Sequence, residues 1–479
     1  MTEVHAAKVR GTEEDGVAVF RGIPYAAPPV GELRFAAPHP VKSWDGDATK
    51  YGPPAPQAGY FGMETLVKDD HNWLTLNIWT PATDKKLPVM VWIPGGAYIL
   101  GMSSLPEYDG VNLAKADVVL VTFNYRLGIE GFAQIEGKPA NRGLLDQVAA
   151  LEWVRDNIGA FGGDPDQVTI FGQSAGAGSV AALLAMPRAK GLFTRAIAQS
   201  VAGTVFTPEL AEDITKACIA EAGQDLSTVD PFELSAIGDA VIAKIMQYAD
   251  RWGLPARRTI LFSPVVDGDV LRQTPWEALK NGAAKDIELI VGHTRDEQRL
   301  FNAIEAIEVT EELADEAVKL FAPNPYPQAE PEALYETVHS DWLFRMPSLH
   351  LAEAQVTGGG RAYLYELTWQ APTMGATHGL DIPLVFGNLD KGQPAMLIGG
   401  APEAEALSDT MRKAWTGFAK TGDPGWPAYD TEQRLTQVFD TQPTVTPYPE
   451  ETSRRIWQTY VRSRPCLCRR KPVRSRGSC

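Results

Sequence analysis

Ser174 is the residue best suited to nucleophilic chemistry, because it stands at the centre of a Gly-x-Ser-x-Gly motif, Gly172-Gln173-Ser174-Ala175-Gly176. An apolar, β-branched run at 168–171 precedes the motif and small residues with helical character follow it. Strand, tight turn and helix are the context of a nucleophile elbow. The two glycines leave room for the strained turn, which exposes the hydroxyl at the carboxyl edge of a sheet. The sequence therefore predicts Ser174 as a catalytic nucleophile rather than a serine that only caps a helix.

The same segment also matches a dinucleotide fingerprint, Gly-x-Gly-x-x-Ala, over 176–181. That site needs its first glycine directly after the strand and an acidic residue about 20 positions further on. Here residues 172–175 separate the apolar run from Gly176, and the stretch 195–200 ends without an acid. Nucleotide binding is therefore not expected.

A serine hydroxyl needs a base, and in α/β hydrolases the chain order is serine, acid, histidine. Of the seven histidines, three precede Ser174 and His293 lies close to a predicted strand. His350 lies in a helix-like run, and His339 lies in the polar stretch before it. His378 lies in a loop that follows an apolar run ending near position 367, which is where such a fold presents its base. His378 is the predicted general base.

The carboxylate that orients the base should follow another strand. Asp296 and Glu297 both come shortly after the apolar run 287–291, and their spacing does not choose between them. Either could instead simply place negative charge at the start of a helix.

Donors for a developing oxyanion are expected from small residues after an early strand. Gly95 and Gly96 follow the apolar run 89–93, and glycine lets the main chain approach a substrate closely. The alternative is an ordinary tight turn after a strand.

The elements that must position these residues alternate between apolar runs and helical patterns. The runs are nearly continuous, as in parallel strands with both faces buried, and they lie at 89–93, 118–123, 168–171, 287–291 and 362–365. A helical pattern covers 144–154. This order predicts an α/β fold: a mostly parallel, doubly wound sheet with helical insertions near 205–260 and 302–360 and a small antiparallel extension within residues 1–80.

Composition limits the classes of function. The 479 residues include 44% hydrophobic and 22% charged side chains, which suits a globular enzyme, and the net charge of −16 argues against a nucleic-acid surface. No run approaches the ~18 apolar residues of a membrane span, and the start does not resemble a secretory signal. Four cysteines are few, and only Cys218 lies in the body of the chain. We therefore expect a cytoplasmic protein with no nucleic-acid or membrane partner.

The segment 462–479 differs from the rest, since it carries seven Lys or Arg residues and no acid. Cys466 and Cys468 lack the second ligand pair of a zinc site, so no metal is expected. The sequence predicts one domain over 1–461, followed by a basic, disordered tail.

These motifs, in this order, resemble the carboxylesterase/cholinesterase family of α/β hydrolases, nearest to bacterial carboxylesterases of the para-nitrobenzyl esterase kind. The resemblance spans about residue 8 to 445. It is carried by FRGIPYAAPPVGELRF at 20–35, LTLNIWTP at 74–81, VWIPGGAYILG at 91–101, NYRLG at 124–128, NRGLLDQVAALEWVRDNIGAFGGDP at 141–165, FGQSAGAGS at 171–179, TRDE at 294–297 and HGLDIPLVFGN at 378–388.

The resemblance implies the α/β-hydrolase fold and a role for each candidate residue. It implies Ser174 as nucleophile, Glu297 rather than Asp296 as acid, and His378 as base. The implied oxyanion donors are the backbone N–H groups of Gly95, Gly96 and Ala175.

Three positions depart from the family pattern. Pro94 stands where the family usually has histidine before the two glycines. Trp73 stands where secreted relatives place a cysteine, so that disulfide is absent. Gln298 replaces the usual glycine after the acid, which could change how that loop turns.

The activity implied is hydrolysis of a small-molecule carboxylic ester through an acyl-enzyme, with no metal or organic cofactor. Hydrolysis of aryl carbamates or amides would use the same residues. A non-catalytic binding protein of the same shape is disfavoured, because this chain keeps all three implied triad members. The sequence leaves the natural substrate open, and it leaves the oligomeric state open between monomer and dimer.

Overall fold

One central sheet organises the protein, whose computed structural model describes residues 2–6, 8–41, 44, 46–57, 70–460 and 466. The strands within those residues are β1 (Thr2–Ala6), β2 (Val9–Glu14), β3 (Val17–Pro24), β4 (Thr75–Thr80), β5 (Leu87–Ile93), β6 (Val119–Phe123), β7 (Gly163–Gln173), β8 (Arg195–Gln199), β9 (Glu288–Thr294), β10 (Arg361–Leu367), β11 (Leu435–Phe439) and β12 (Thr444–Pro447). Their order across the sheet is β1-β2-β3-β4-β6-β5-β7-β8-β9-β10-β11-β12.

The centre of the sheet is parallel and its margins are antiparallel. The pairs from β6 through β5, β7, β8, β9 and β10 to β11 are parallel. The pairs among β1–β4, the pair of β4 with β6, and the pair of β11 with β12 are antiparallel. The predicted mostly parallel sheet with an N-terminal antiparallel extension is confirmed.

Helices cover the sheet and fill the long connections. They are α1 (Val111–Ala114), α2 (Gly128–Phe132), α3 (Arg142–Asn157), α4 (Ala175–Ala185), α5 (Pro208–Ala222), α6 (Glu233–Ile242), α7 (Ala249–Trp252), α8 (Leu254–Arg257), α9 (Pro275–Lys280), α10 (Gln298–Ile304), α11 (Glu311–Phe321), α12 (Pro331–Ser340), α13 (Met346–Thr357), α14 (Asp381–Phe386), α15 (Ala395–Ile398), α16 (Glu403–Thr421) and α17 (Glu451–Trp457). A π-helical turn, Asp341–Arg345, joins α12 to α13.

The sheet separates two hydrophobic cores, because successive side chains of a strand point to opposite faces. In β5, Val89 and Val91 belong to the core that includes α3 and α4. Met90 and Trp92 belong to the core on the other face, with α14 and α16. Burial on both faces explains why the central strands read as continuous apolar runs.

The two predicted insertions contain mostly helix. Helices α5–α8 lie in 205–260, and the end of α10, α11, α12, the π-helical turn and α13 lie in 302–360. Of the basic tail, only Cys466 is among the described residues. Its N–H donates to the carbonyl of Val205 at 2.7 Å, and its carbonyl accepts from Thr207 N–H at 3.1 Å. The predicted disorder concerns residues that otherwise lie outside the described part of the chain, and the domain division stays a prediction.

Within the described ranges, no helix combines the length and apolar character needed to cross a membrane. Those ranges also contain no group of three or more His, Cys, Asp or Glu side chains arranged to hold a metal ion.

Candidate active site

Ser174 lies in a sharp turn between a strand and a helix. Strand β7 ends at Gln173 and α4 begins at Ala175, with Ser174 between them at φ 59° and ψ −123°. A Cβ atom on Gly176 would lie 2.1 Å from the carbonyl oxygen of Ile93, and one on Gly172 would lie 2.7 Å from the backbone of Gly176. Both flanking positions therefore require glycine, as the motif predicts, and the backbone of Ser174 is strained.

The loop after β5 packs directly against this turn. A Cβ atom on Gly95 would lie 2.6 Å from the carbonyl oxygen of Gln173 and 3.3 Å from Ser174 Cβ. Gly96 has φ 115°, a region that side-chain-bearing residues rarely adopt. Ala175 opens α4, where N–H groups have no partner within the helix. The backbone of Gly95 and the start of α4 thus lie beside the Ser174 side chain, as an oxyanion site requires.

Pro94 does not affect the N–H groups of the two glycines that follow it. Proline has no N–H of its own, whereas Gly95 and Gly96 each keep one. The Tyr125 hydroxyl donates to the Pro94 carbonyl oxygen at 2.8 Å, and Tyr125 is buried. This bond fixes the direction of the main chain as it enters the two glycines.

His378 and Glu297 meet at the same edge of the sheet as Ser174. Glu297 follows β9 and His378 lies in the loop after β10, and parallel strands bring their carboxyl ends together. His378 Nδ1 is hydrogen-bonded to Glu297 Oε2, and the N–H of Thr294 donates to Glu297 Oε1 at 2.9 Å. Glu297 is fully buried and His378 is 5% exposed. Burial raises the pKa of Glu297, but the charge and hydrogen bond of His378, together with Ser200 and His293, bring that pKa below the ordinary value.

Asp296 contacts the histidine loop at a different place. Its carboxylate pairs with Arg295 at 3.0 Å and Arg299 at 2.9 Å, and it accepts from the N–H of Ala376 at 3.2 Å. Asp296 and Thr377 also form an isolated backbone bridge. The structure thus brings Glu297, not Asp296, to the imidazole, and it uses Asp296 to anchor the loop that carries His378.

Gln173 contacts the other nitrogen of the imidazole. Its side-chain amide nitrogen lies 3.0 Å from His378 Nε2, and Gln173 is 4% exposed. Gln173 occupies an x position of the Gly-x-Ser-x-Gly motif, which any residue type can fill. Its place beside Ser174 puts it near the site, but spacing does not reveal that its side chain contacts a loop 205 positions later.

Two phenylalanines cover one side of His378. The ring of Phe344 lies 4.2 Å from the imidazole at an interplanar angle of 32°, and that of Phe301 lies 5.2 Å away. The two phenyl rings stack on each other at 5.7 Å. Phe344 belongs to the π-helical turn and Phe301 to α10. Phe344 and Phe301 therefore both lie at the site, brought there from separate elements of the fold.

Tyr98, in the loop after β5, packs against Phe132 and the start of α4. Its ring contacts Phe132 at 4.8 Å, and its hydroxyl would meet a Cβ atom on Gly178 at 2.6 Å. Tyr98 is 3% exposed. It therefore supports the first turns of α4 from behind the serine.

The remaining departures from the family pattern have partners in the fold. Gln298 begins α10, where its side chain accepts from buried Arg258 at 2.7 Å and donates to Asn302 at 2.8 Å. These bonds hold the start of the helix directly after Glu297. Trp73 is fully buried, with its ring 6.0 Å from that of Phe232. It fills core space with an indole at that position.

His293 is a second buried histidine, one strand residue before Thr294. Its Nε2 lies 3.0 Å from the Tyr448 hydroxyl, and its Nδ1 lies 2.9 Å from the Thr294 carbonyl oxygen. Burial, aided by the charge of Arg345, lowers the pKa of His293 to about 4. Between about pH 6.5 and 4 the unfolded chain binds a proton at this histidine that the folded chain does not, so acidification removes stability in that window.

We expect His293→Gln to be less stable than the parent at pH 7, because hydrogen bonds are lost, but to lose less stability on acidification. The gap in unfolding free energy should narrow by roughly 2 kcal/mol between pH 7 and pH 5. Urea denaturation of both proteins at the two pH values measures this gap. Other titrating groups are common to both proteins, so a gap that stays constant would contradict the assignment.

A large groove lies apart from these residues. Its volume is about 1110 Å³, and its walls include Tyr25, Trp44 and Trp153 but none of Ser174, Glu297 or His378. The three candidate catalytic residues therefore lie outside this groove.

Comparison with known proteins gives one consistent match. The family model described as the carboxylesterase family matches residues 1–329 and 305–457. A para-nitrobenzyl esterase of Bacillus subtilis (strain 168) is 40% identical over 475 residues, covering 93% of this chain and 96% of that protein. A phenmedipham hydrolase of Pseudarthrobacter oxydans is 34% identical, covering 88% and 92%. The crystal structure of a Geobacillus stearothermophilus carboxylesterase superposes with a TM-score of 0.84 at 38% identity, covering 96% of this chain and 100% of that one.

Proposed function

Since the chain belongs to the carboxylesterase family and is a carboxylic-ester hydrolase, we propose that Ser174, Glu297 and His378 form the triad through which it acts. The observation that carries this proposal is the buried hydrogen bond between His378 Nδ1 and Glu297 Oε2, at the sheet edge where β7 presents Ser174. A carboxylate at Nδ1 fixes the imidazole tautomer and stabilises the imidazolium that forms during catalysis.

In the first half of the reaction, His378 Nε2 takes the proton of the Ser174 hydroxyl as the serine oxygen attacks the ester carbonyl. The carbonyl oxygen becomes an oxyanion, which accepts hydrogen bonds from the N–H groups of Gly95, Gly96 and Ala175. The oxyanion then collapses, the bond to the alcohol oxygen breaks, and the imidazolium gives its proton to the leaving alcohol. An acyl group remains on Ser174.

In the second half, water takes the place of the alcohol. His378 removes a proton from the water, the hydroxide oxygen attacks the acyl carbonyl, and the same N–H groups hold the oxyanion. The bond to Ser174 breaks and the serine oxygen regains its proton from His378. The products are a carboxylic acid and the free enzyme, and His378 carries the proton in both halves of the reaction.

The apolar rings of Phe301 and Phe344 beside His378 support an apolar substituent on the substrate near the leaving group. Carbamate or amide hydrolysis would use the same atoms. Rates for a chain-length series of aryl esters, an aryl carbamate and an anilide separate these substrate classes.

A fluorophosphonate or sulfonyl fluoride tests the nucleophile directly, because such reagents form a stable adduct with an activated serine. We expect one equivalent of label on the peptide that contains Ser174, with activity lost in proportion. Label on a peptide without Ser174 would overturn the assignment, and added substrate should slow the labelling.

We also propose a reducing, cytoplasmic location. Cys218 is a buried free thiol, and burial raises its pKa to about 12, so it is an inert thiol. Activity in a lysate of the cells that produce the protein, compared with their culture medium, would test the location.

A further inference from the structure

The nitrogen that must accept the serine proton already has a partner. His378 Nε2 lies 3.0 Å from the amide nitrogen of Gln173, the residue directly before Ser174. Both side chains are at least nine-tenths buried, so water does not readily replace this contact. A mechanism that uses Nε2 has to include what Gln173 does there.

The direction of this hydrogen bond follows from the other side of the ring. Nδ1 faces the Glu297 carboxylate, which can only accept, so Nδ1 carries the proton of the neutral imidazole. Nε2 is then a lone-pair acceptor, and the Gln173 amide N–H donates to it. The amide therefore stabilises the form of His378 that can act as a base.

Gln173 also lies against the loop that carries the proposed oxyanion donors. As the last residue of β7 it pairs with Gln199 across the sheet. Its carbonyl oxygen and its side-chain oxygen would lie 2.6 Å and 3.4 Å from a Cβ atom on Gly95. One side chain thus spans the distance between the loop that holds the oxyanion and the base that moves the proton.

We propose that Gln173 is a positioning residue that holds His378 as a neutral base with Nε2 unprotonated, and that it yields Nε2 to the Ser174 hydroxyl when substrate binds. This inference rests on the proposed function, because it assigns Gln173 a role only in a reaction that uses His378. The amide acts through the imidazole and touches no reacting atom of the ester.

The effect of Gln173 on His378 can be separated from the effects of the charged groups around the imidazole. Ionisable groups on the surrounding elements are Glu297 after β9, Asp296 with its partners Arg295 and Arg299, and Asp381 at the start of α14, whose pKa burial raises to about 6. Phe301 and Phe344 add rings without charge. All of these stay in place when only position 173 is changed.

The test is the pH dependence of kcat/KM in two variants of nearly equal side-chain length. Gln173→Met removes the donor, so the acid limb should move to higher pH by a few tenths of a unit, because a bond to the neutral base is lost. Gln173→Glu puts an acceptor where only imidazolium can donate, so the limb should move up by about one unit or more. The expected order is parent, then Met, then Glu.

A second measurement covers the case in which a variant is too inactive for a profile. The ¹⁵N signals of the imidazole, followed over a series of pH values, should show Nε2 becoming protonated at a higher pH in Gln173→Glu than in the parent. Gln173→Asn tests whether the amide must reach His378 Nε2, because it keeps the amide on a shorter side chain. This variant should behave like Gln173→Met.

Acid limbs and ¹⁵N titrations of Nε2 that coincide in all of these proteins would overturn the role of Gln173. Such a result leaves the proposed function standing if Ser174 is still the labelled residue. Loss of labelling at Ser174 in the parent protein would instead overturn the proposed function itself, so the two failures are distinguishable.

Discussion

Ser174→Ala is expected to remove ester hydrolysis while leaving the protein folded. The hydroxyl oxygen forms the bond to the acyl group, and losses of triad members in serine hydrolases lower turnover on the order of 10⁴ to 10⁶-fold. Alanine keeps the Cβ atom of serine, so the strain at φ 59° is unchanged and so is the core beneath it. Turnover of an activated aryl ester and the melting temperature, measured on the same preparation, check both parts.

Ser179→Ala is the matched control, since it makes the same change five residues after Ser174, within α4. Ser179 is fully buried and accepts from the Gln147 amide at 3.0 Å. Its loss should reduce stability by about 1 kcal/mol and leave most of the turnover. Full activity in Ser174→Ala, or equal losses in the two variants, would exclude Ser174 as the nucleophile.

The second large effect is expected from Glu297→Gln. The amide has nearly the shape of the carboxylate but lacks the charge that stabilises imidazolium, and it can present an N–H to Nδ1 and so favour the wrong tautomer. The analogous change in a serine protease triad lowers kcat by about 10⁴. We expect a loss of several orders of magnitude in kcat for activated esters, with the larger part in kcat rather than KM, from steady-state kinetics.

Asp296→Asn is the neighbouring control. Asp296 pairs with Arg295 and Arg299 and holds Ala376, but it does not contact the imidazole. Its replacement weakens the anchoring of the histidine loop and should cause a clearly smaller fall in turnover. The opposite ranking of the two variants would mean that Asp296, one residue earlier, is the acid.

Much of the fold could be predicted from residue patterns, because burial on both faces leaves a strong signal. The apolar runs at 89–93 and 118–123 lie within or overlap β5 and β6, and the serine motif marks the end of β7. Strand β8 is different. Its five residues begin with Arg195 and end with Gln199, so it carries too few consecutive apolar residues to be recognised. Its position between β7 and β9 is a property of the whole sheet.

Some residues of the site could also be predicted from local pattern, whereas others depend on the whole fold. A serine between glycines and a histidine after a late strand follow from local pattern and chain order, which is why Ser174 and His378 could be proposed from sequence. The side chains of Asp296 and Glu297 are adjacent in sequence, and the residues alone left the choice open. Only the turn into α10 directs Glu297 inward and Asp296 toward two arginines. Contacts across separate loops, such as those of Gln173 and Phe301 with His378, leave no local trace.

The strained turn at Ser174 sets a condition on efforts to make this protein more heat-resistant. A non-glycine residue in so unfavourable a backbone region reduces folding stability by about 1 to 3 kcal/mol. Glycine at the same position would relieve that strain, so a screen that rewards survival of heating alone would favour variants without the nucleophile. Selection for thermal tolerance therefore has to be coupled to a measurement of turnover, because the backbone conformation of Ser174 that lowers folding stability is also the one that presents the nucleophile.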